Sequence, residues 1–269
     1  MRQNWVKQRL REGQATVGTW LSSDSTVTAE LMAQAGFDWL VVDMEHGPFD
    51  LGIAAQMMQA IRATQTIPLA RVGWNEPALI QQTLDLGAYG LIVPMINSRQ
   101  EAEQVVQSAC YPPLGQRSRG GVRARLAFGT DAVTYGRQAN EQILLLLQVE
   151  TRQSLEAIDQ ILAVPGVDGI FVGPNDLSDS LGVWPPRLHD EEPVLAGAIA
   201  EALAAARRHD KVPGIMVPDA AMANRYLAHG YTFVSLSSEL GILEGAAKGQ
   251  LGAINRPTPP TPGGDHQTS

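Results

Sequence analysis

Three short segments concentrate the side chains that can do chemistry. WLVVDMEHGP carries Asp43, Glu45 and His46 at the end of an apolar run, just before Gly47-Pro48 breaks the chain. LLLLQVET ends on Gln148 and Glu150, and GIFVGPNDLSDS runs into Gly173, Pro174, Asn175 and Asp176. A fourth run, PLARV, contributes Arg71. An imidazole can take and return a proton near neutral pH. Glu150 and Asp176 form a natural pair of hard oxygen ligands, which suits Mg²⁺ or Mn²⁺ with coordination positions left for water or substrate. Cysteine and histidine do not cluster, which argues against a structural zinc site.

Each of these residues also has an ordinary structural role open to it. Glu150 or Asp176 alone would more often cap the helix that follows. His46 could close a turn or cap a helix, and Arg71 could neutralise any of the acids. The elements that must position them weigh against four separate coincidences. Short apolar runs recur as TVGTWL, WLVVDM, PLARV, GLIVPM, ILLLLQVE, GIFVGP, PGIMV and FVSLS, and a helical stretch follows each. Nearly continuous apolar strands are buried on both faces, as in a parallel sheet. Eight such strand–helix units predict an α/β fold, a (β/α)8 barrel. Glycine in AGFD, LGAYG, PGVDG and HGYT marks the helix-to-strand joints. Active sites of such barrels lie at the C-terminal ends of the strands. Strand two delivers Asp43, Glu45 and His46 there, strand three Arg71, strand five Gln148 and Glu150, and strand six Gly173 to Asp176.

The chain reads as one barrel over residues 1–255, with a Pro/Gly/Thr-rich tail at 256–269 expected to be disordered. Tyr111 to about Asn140, which contains GQRSRGGVRAR, reads as one long irregular loop of the kind that is usually functional.

Composition narrows the partners. A formal net charge of −8 and a pI near 5.1 make nucleic acid or an anionic membrane a poor partner. No apolar run approaches the roughly 20 residues needed to span a bilayer, and the charged N-terminus lacks the apolar core of a signal peptide. The single cysteine, Cys110, excludes a disulfide framework and fits a reducing cytoplasm. Lys7, Lys211 and Lys248 are the only lysines, and all fall away from the predicted rim. Schiff-base chemistry needs a lysine there and is therefore disfavoured. No Gly-rich phosphate loop follows strand seven or eight, which disfavours phosphorylated substrates, and no nucleotide is expected.

These residues carry a resemblance. The sequence resembles the HpcH/HpaI family of class II, metal-dependent pyruvate aldolases, which includes hydroxy-oxo-heptanedioate and dehydro-deoxy-glucarate aldolases. The matching segments are AGFDWLVVDMEHGP, ARVGWNEP, LDLGAYGLIVPM, YPPLGQRS, LLQVET and PGVDGIFVGPNDLSDSLG, spread from residue 18 to about 240. The resemblance implies a TIM barrel of the phosphoenolpyruvate/pyruvate type. It implies reversible cleavage of a 4-hydroxy-2-oxo acid to pyruvate and an aldehyde. Glu150 and Asp176 would bind a divalent metal, Mg²⁺ or Mn²⁺ with Co²⁺ as an alternative. Gln148, Gly173 and the backbone amides of Asn175 and Asp176 would hold the substrate. His46 would be the base, acting through a water, with Asp85 of LDLGAYG as its partner. Arg71 would stabilise the enolate, and Asp43 and Glu45 would support it. The resemblance also implies a homohexamer, a trimer of dimers with exchanged C-terminal helices, which the apolar ELGILEGAAKGQL could supply.

The chain departs from the family at Asn175, where members often carry a small residue, and at Met44. Arg117, Arg119, Arg123 and Arg125 fall where members differ most, so the aldehyde stays open. Two other readings remain: a related lyase such as an oxaloacetate decarboxylase on the same enolate site, and a barrel that binds metal and keto acid without turnover. The last leaves His46, Asp85 and Arg71 without a purpose.

Overall fold

Eight runs of apolar and β-branched residues form parallel strands: β1 Thr16–Leu21, β2 Trp39–Asp43, β3 Ile67–Arg71, β4 Gly90–Val93, β5 Leu144–Val149, β6 Gly169–Val172, β7 Val212–Val217 and β8 Phe233–Ser238. In this computed structural model, which describes residues 1–185 and 192–255, the strands pair in chain order and β8 returns to β1, closing the barrel. The expected tail at 256–269 lies outside the described residues. Every residue of β2, β4, β5 and β6 is buried. That is the pattern of strands covered on one side by each other and on the other by helices. Gly36 and Gly230 follow helices at φ 98° and 101°, a left-handed conformation that costs glycine nothing. Both stand in the joints predicted from the sequence. No described helix is long and apolar enough to cross a membrane.

An aromatic column fills the barrel and rises toward the strand C-terminal ends. Trp39 stacks on Phe233 at 3.8 Å, and its Nε1 donates to Thr16 Oγ1 at 3.1 Å. Phe233 meets Phe171 edge-on at 6.0 Å, and Phe171 meets Trp20 edge-on at 5.5 Å. Gly18 permits this packing, because a Cβ there would overlap the Trp39 ring.

The opposite end is closed by the helix Trp5–Arg11. Its Lys7 is 4% exposed and donates to Ile143 O at 2.5 Å and to Asp168 Oδ2 at 2.8 Å. Asp168 also accepts from the Leu145 amide at 2.9 Å, so one ion pair ties the helix to the entries of β5 and β6.

The stretch expected to be one irregular loop holds two helices, Val122–Ala127 and Ala132–Gln142. Asp131 caps the second by accepting from Val133 N and Thr134 N. Tyr135 and Ala139, four residues apart, are its buried face. The Arg and Gly content concealed this short periodicity. The stretch connects the helix Arg99–Ala109 to the start of β5. It therefore lies at the N-terminal face of the barrel, away from the strand ends that carry chemistry. The last helix, Glu239–Gly252, buries only Glu239 and exposes Leu240, Ile242, Leu243 and Leu251.

Breaking a buried ion pair by removing one partner typically costs about 3–5 kcal/mol. Lys7→Met should lower unfolding stability by that amount in urea titrations. A loss below about 1 kcal/mol would show that the floor is held by packing alone.

Candidate active site

The end of β2 builds the first half of the site. Asp43 is its last residue, and Asp43 Oδ1 accepts from the backbone amides of Glu45 at 3.2 Å and His46 at 3.4 Å. Gly47 N closes the turn onto Asp43 O at 2.9 Å. A Cβ on Gly47 would overlap the Phe49 ring, so the turn needs glycine.

Parallel pairing of β2 with β3 sets Asp43 beside Arg71. Arg71 donates through Nε to Asp43 Oδ1 at 2.8 Å and through Nη2 to Oδ2 at 2.7 Å, a two-pronged pair. Its Nη1 lies 2.9 Å from Glu45 Oε2 as an ion pair without hydrogen-bond alignment. The guanidinium carbon is 4.4 Å from the centre of the Trp20 ring, and the side chain is 11% exposed. Burial pulls the Arg71 pKa down, but the hydrogen bond and charge of Asp43, followed by Glu45 and Glu150, hold it above its ordinary value. Glu45 is pushed up by burial more than Arg71 and His46 pull it down.

Glu150 follows β5 and is 3% exposed. Its Oε1 accepts from the Met95 amide at 2.7 Å, and Met95 takes φ 55° to present that amide. Its Oε2 is closely hydrogen-bonded to Gln148 Nε2. Burial, together with the charges of Glu45 and Asp176, pushes the Glu150 carboxyl up to about 7 against the lowering by the Met95 amide and Arg71. Asp176 stands exposed in the first turn of the helix Pro174–Leu181. Gly173 opens that helix, and a Cβ there would come within 3.2 Å of both Gln148 Nε2 and Glu150 Oε2.

None of the capping roles is taken. Thr151 and Ser154 form the capping box of the helix after β5, so Glu150 is free to turn inward. Asp50 caps the helix Leu51–Ile61, which leaves His46 in the turn before it. Asp176 is the third residue of its helix and makes no cap hydrogen bond.

Asp43, His46, Arg71, Gln148, Gly173, Asn175 and Asp176 line one cavity of about 230 Å³. Glu150 lies beneath it, behind Gly173. The His46 ring is 68% exposed at the mouth, with Nε2 3.9 Å from Glu45 Oε2. The expected partner of His46 is not there. Asp85 ends the helix Pro77–Asp85, which runs antiparallel to the strands, so it lies at the N-terminal face of the same barrel. There it accepts from Arg117 Nη2 at 2.6 Å, and Arg117 stacks on Tyr111 at 4.8 Å. The motif placed Asp85 in the right helix, but the helix reverses direction between Arg71 and that residue.

Met216 and Ser238, at the ends of β7 and β8, also line the cavity, as do Trp20, Ser22 and Phe171, which were not anticipated as site residues. Trp20 and Phe171 sit inside apolar strand runs, where they read as core. The inward turn of the Met95 amide has no sequence signal, because a methionine at positive φ is not foreshadowed by its type.

The donor set fits a hard divalent cation. Glu150 is a carboxylate raised chiefly by burial and further by Glu45 and Asp176, and Gln148 Oε1 is buried with no partner. Glu150, Asp176 and the Gln148 carbonyl offer oxygen donors, the kind a hard cation takes. Among the described residues, no three or more of His, Cys, Asp and Glu converge as a ligand set. A cation here would thus rest on two carboxylates and keep positions for other ligands.

Residues 16–245 match the pattern of the family described as HpcH/HpaI aldolase/citrate lyase. A 4-hydroxy-2-oxo-heptane-1,7-dioate aldolase from Escherichia coli is 38% identical over 246 residues, which is 91% of this chain and 93% of that protein. One from Klebsiella pneumoniae is 39% identical over 245 residues, 91% of each chain. The crystal structure of a HpcH/HpaI aldolase/citrate lyase family protein from Burkholderia cenocepacia superposes with a TM-score of 0.87 at 36% identity, covering 94% of this chain and all of that one. The matched pattern runs from β1 into the last helix and takes in every strand that feeds the cavity, so the chain belongs to the HpcH/HpaI aldolase/citrate lyase family.

Proposed function

We propose that the protein is a metal-dependent carbon–carbon lyase that reversibly cleaves a 4-hydroxy-2-oxo acid into pyruvate and an aldehyde. The observation that carries this reading is a buried guanidinium, Arg71, held by Asp43 over Trp20 and facing the same cavity as Gln148, Gly173 and Asp176. A cation that cannot reorient or shed its charge suits an oxyanion that appears only during reaction.

A divalent cation held by Glu150 and Asp176, such as Mg²⁺ or Mn²⁺, would supply a Lewis acid beside the keto oxygen. The protein's own groups divide the remaining work. The first hydrogen bond within the helix Pro174–Leu181 is donated by Leu177, so the amides of Asn175 and Asp176 remain for the substrate carboxylate. His46 takes the proton of the 4-hydroxyl as the bond between carbons 3 and 4 breaks. The electron pair moves onto the pyruvate half as an enolate, whose charge Arg71 holds. Proton return to the methylene carbon completes pyruvate, and the aldehyde leaves through the mouth where His46 stands. The three lysines serve elsewhere: Lys7 and Lys211 at the floor, Lys248 on the last helix.

Asp85 takes part in this scheme only across a subunit contact, because its own chain places it on the far face. The exposed leucines of the helix Glu239–Gly252 support an assembly, and we take it to be a homohexamer. The buried lone thiol Cys110 supports a cytoplasmic setting.

Glu150→Gln or Asp176→Asn should abolish pyruvate release with the barrel intact by circular dichroism. Full turnover in EDTA-dialysed protein would sink the metal reading. The raised Glu150 carboxyl adds a pH signature. Its protonated form is favoured in the folded state, so in metal-free protein its contribution is fully present at low pH. It is lost as pH rises through about 7. Urea midpoints of EDTA-treated protein should therefore fall between pH 5 and 8, and added Mn²⁺ should cancel that fall.

His46→Ala should slow both cleavage and exchange of the pyruvate methyl protons by about 10²–10⁴-fold. Arg71→Lys keeps a charge without the planar fork and should not restore kcat. An Arg71→Ala enzyme with normal kcat and a raised KM would make Arg71 a substrate clamp instead. Finally, co-refolding His46→Ala with Asp85→Ala subunits should give more activity than the two variants measured apart. Strict additivity would remove Asp85 from the reaction.

A further inference from the structure

We propose that the floor of the barrel, opposite the catalytic rim, holds a binding site for a small dianion carrying carboxylate or phosphate groups. A cavity of about 550 Å³ opens there, larger than the one of about 230 Å³ at the rim and within the range of metabolite sites. It lies between the helix Trp5–Arg11 that closes the floor, the turn entering β7 and the end of the helix Pro193–Arg208. Lys7, Arg11, Arg207 and Lys211 line it against two acids, Asp168 and Asp210. Four cations line the cavity against two carboxylates, a local excess of positive charge in a chain whose formal net charge is −8. Two of the only three lysines are spent on this one cavity.

The charges are not equally occupied. Lys7 is neutralised by Asp168 at 2.8 Å, and Arg11 meets Glu141 at 3.3 Å on the surface. Lys211 Nζ donates to a neutral acceptor, the Val167 carbonyl, at 2.6 Å. Arg207 Nη2 donates to the His229 carbonyl, also at 2.6 Å. Among the described residues, neither Lys211 nor Arg207 has a carboxylate within ion-pair distance. Carbonyls orient these cations without cancelling their charge. An ammonium has three donors and a guanidinium five, so each keeps N–H groups for a ligand. Held cations with spare donors at the wall of a cavity are what an anion needs, since no side chain must first break a salt bridge. Two charges on the ligand would match Lys211 and Arg207, the two cations of the cavity that no described carboxylate pairs.

The occupant would bridge separate elements. Lys211 enters β7, Arg207 stands in the last turn of the preceding helix, and Lys7 and Arg11 belong to the helix over the floor. Binding that requires this arrangement stabilises the folded state by mass action.

The test is thermal unfolding of the full-length protein in phosphate, pyrophosphate, succinate or sodium chloride at matched ionic strength. Phosphate or succinate at about ten times its Kd should raise Tm by roughly 3–5 °C over chloride. The phosphate and succinate arms distinguish a phosphate ester from a dicarboxylate as the class of ligand. Lys211→Gln/Arg207→Gln should abolish the rise while keeping the lyase activity, Lys211→Arg should retain it, and Arg71→Lys at the rim should leave it unchanged. Should the double variant not fold, calorimetric titration of phosphate or succinate into single Lys211→Gln must show at least a tenfold loss of affinity. No rise beyond that in chloride overturns the proposal. So does a rise that survives the floor variants and disappears in Arg71→Lys, which would put the anion at the catalytic rim.

Discussion

A guanidinium stripped of most of its water holds the site together. Arg71 ends β3, where register with β2 sets it beside Asp43. Both oxygens of that carboxylate are used, Glu45 stands on the other side, and the Trp20 ring lies 4.4 Å away. Burying two charges is repaid only by near-ideal geometry with further hydrogen bonds. The pair meets that demand, and the demand fixes much else. Asp43 must also accept two turn amides, so the His46 turn is set by the same carboxylate that holds Arg71. The aromatic column that fills the barrel ends on Trp20, so core packing and the setting of the Arg71 guanidinium share a residue.

Around that fixed cation the acids are unevenly satisfied. Asp43 is fully paired. Glu150, almost as deeply buried, has a backbone amide and the Gln148 side chain and sits among other carboxylates. Its proton affinity rises to about 7, the response of a buried acid without enough positive charge nearby. The site thus separates a permanent positive group from a negative one that can accept a cation. In the proposed reaction that separation would let one small cavity polarise a keto oxygen from two sides.

The two faces of the barrel carry different burdens. Strand ends on one face bring chemistry together. On the other, Lys7 and Asp168 close the floor, and Arg117 gathers Asp85, Tyr111 and Tyr135 beneath the two short helices. Gly121 takes φ 69° against Asp85, and a Cβ there would come within 2.7 Å of its carboxyl carbon. This second polar cluster is part of the framework of its own subunit. The last helix leaves its leucines in solvent, packing little against its own barrel.

The eight apolar runs and the polar residues that end four of them were legible in the sequence. Strand burial imposes a continuous apolar pattern, and a barrel directs the end of every strand to one rim. Asp43, Arg71, Gln148, Glu150 and Asp176 could therefore be assigned to a common site by counting along the chain. What the sequence could not decide depends on neighbours far apart in the chain. Trp20 reads as core until β1 closes against β8 and its ring meets Arg71 across the barrel. The elevation of the Glu150 carboxyl comes from burial and from charges in the turn after β2 and the helix after β6. The helical character of residues 122–142 was hidden under an Arg- and Gly-rich composition. Asp85 shares a motif with the site yet lies at the far end of its own subunit, because a helix that returns to the next strand must carry its last residue to the opposite face. The residues at each strand end are a matter of local pattern, whereas their distances and electrostatics exist only once the barrel closes.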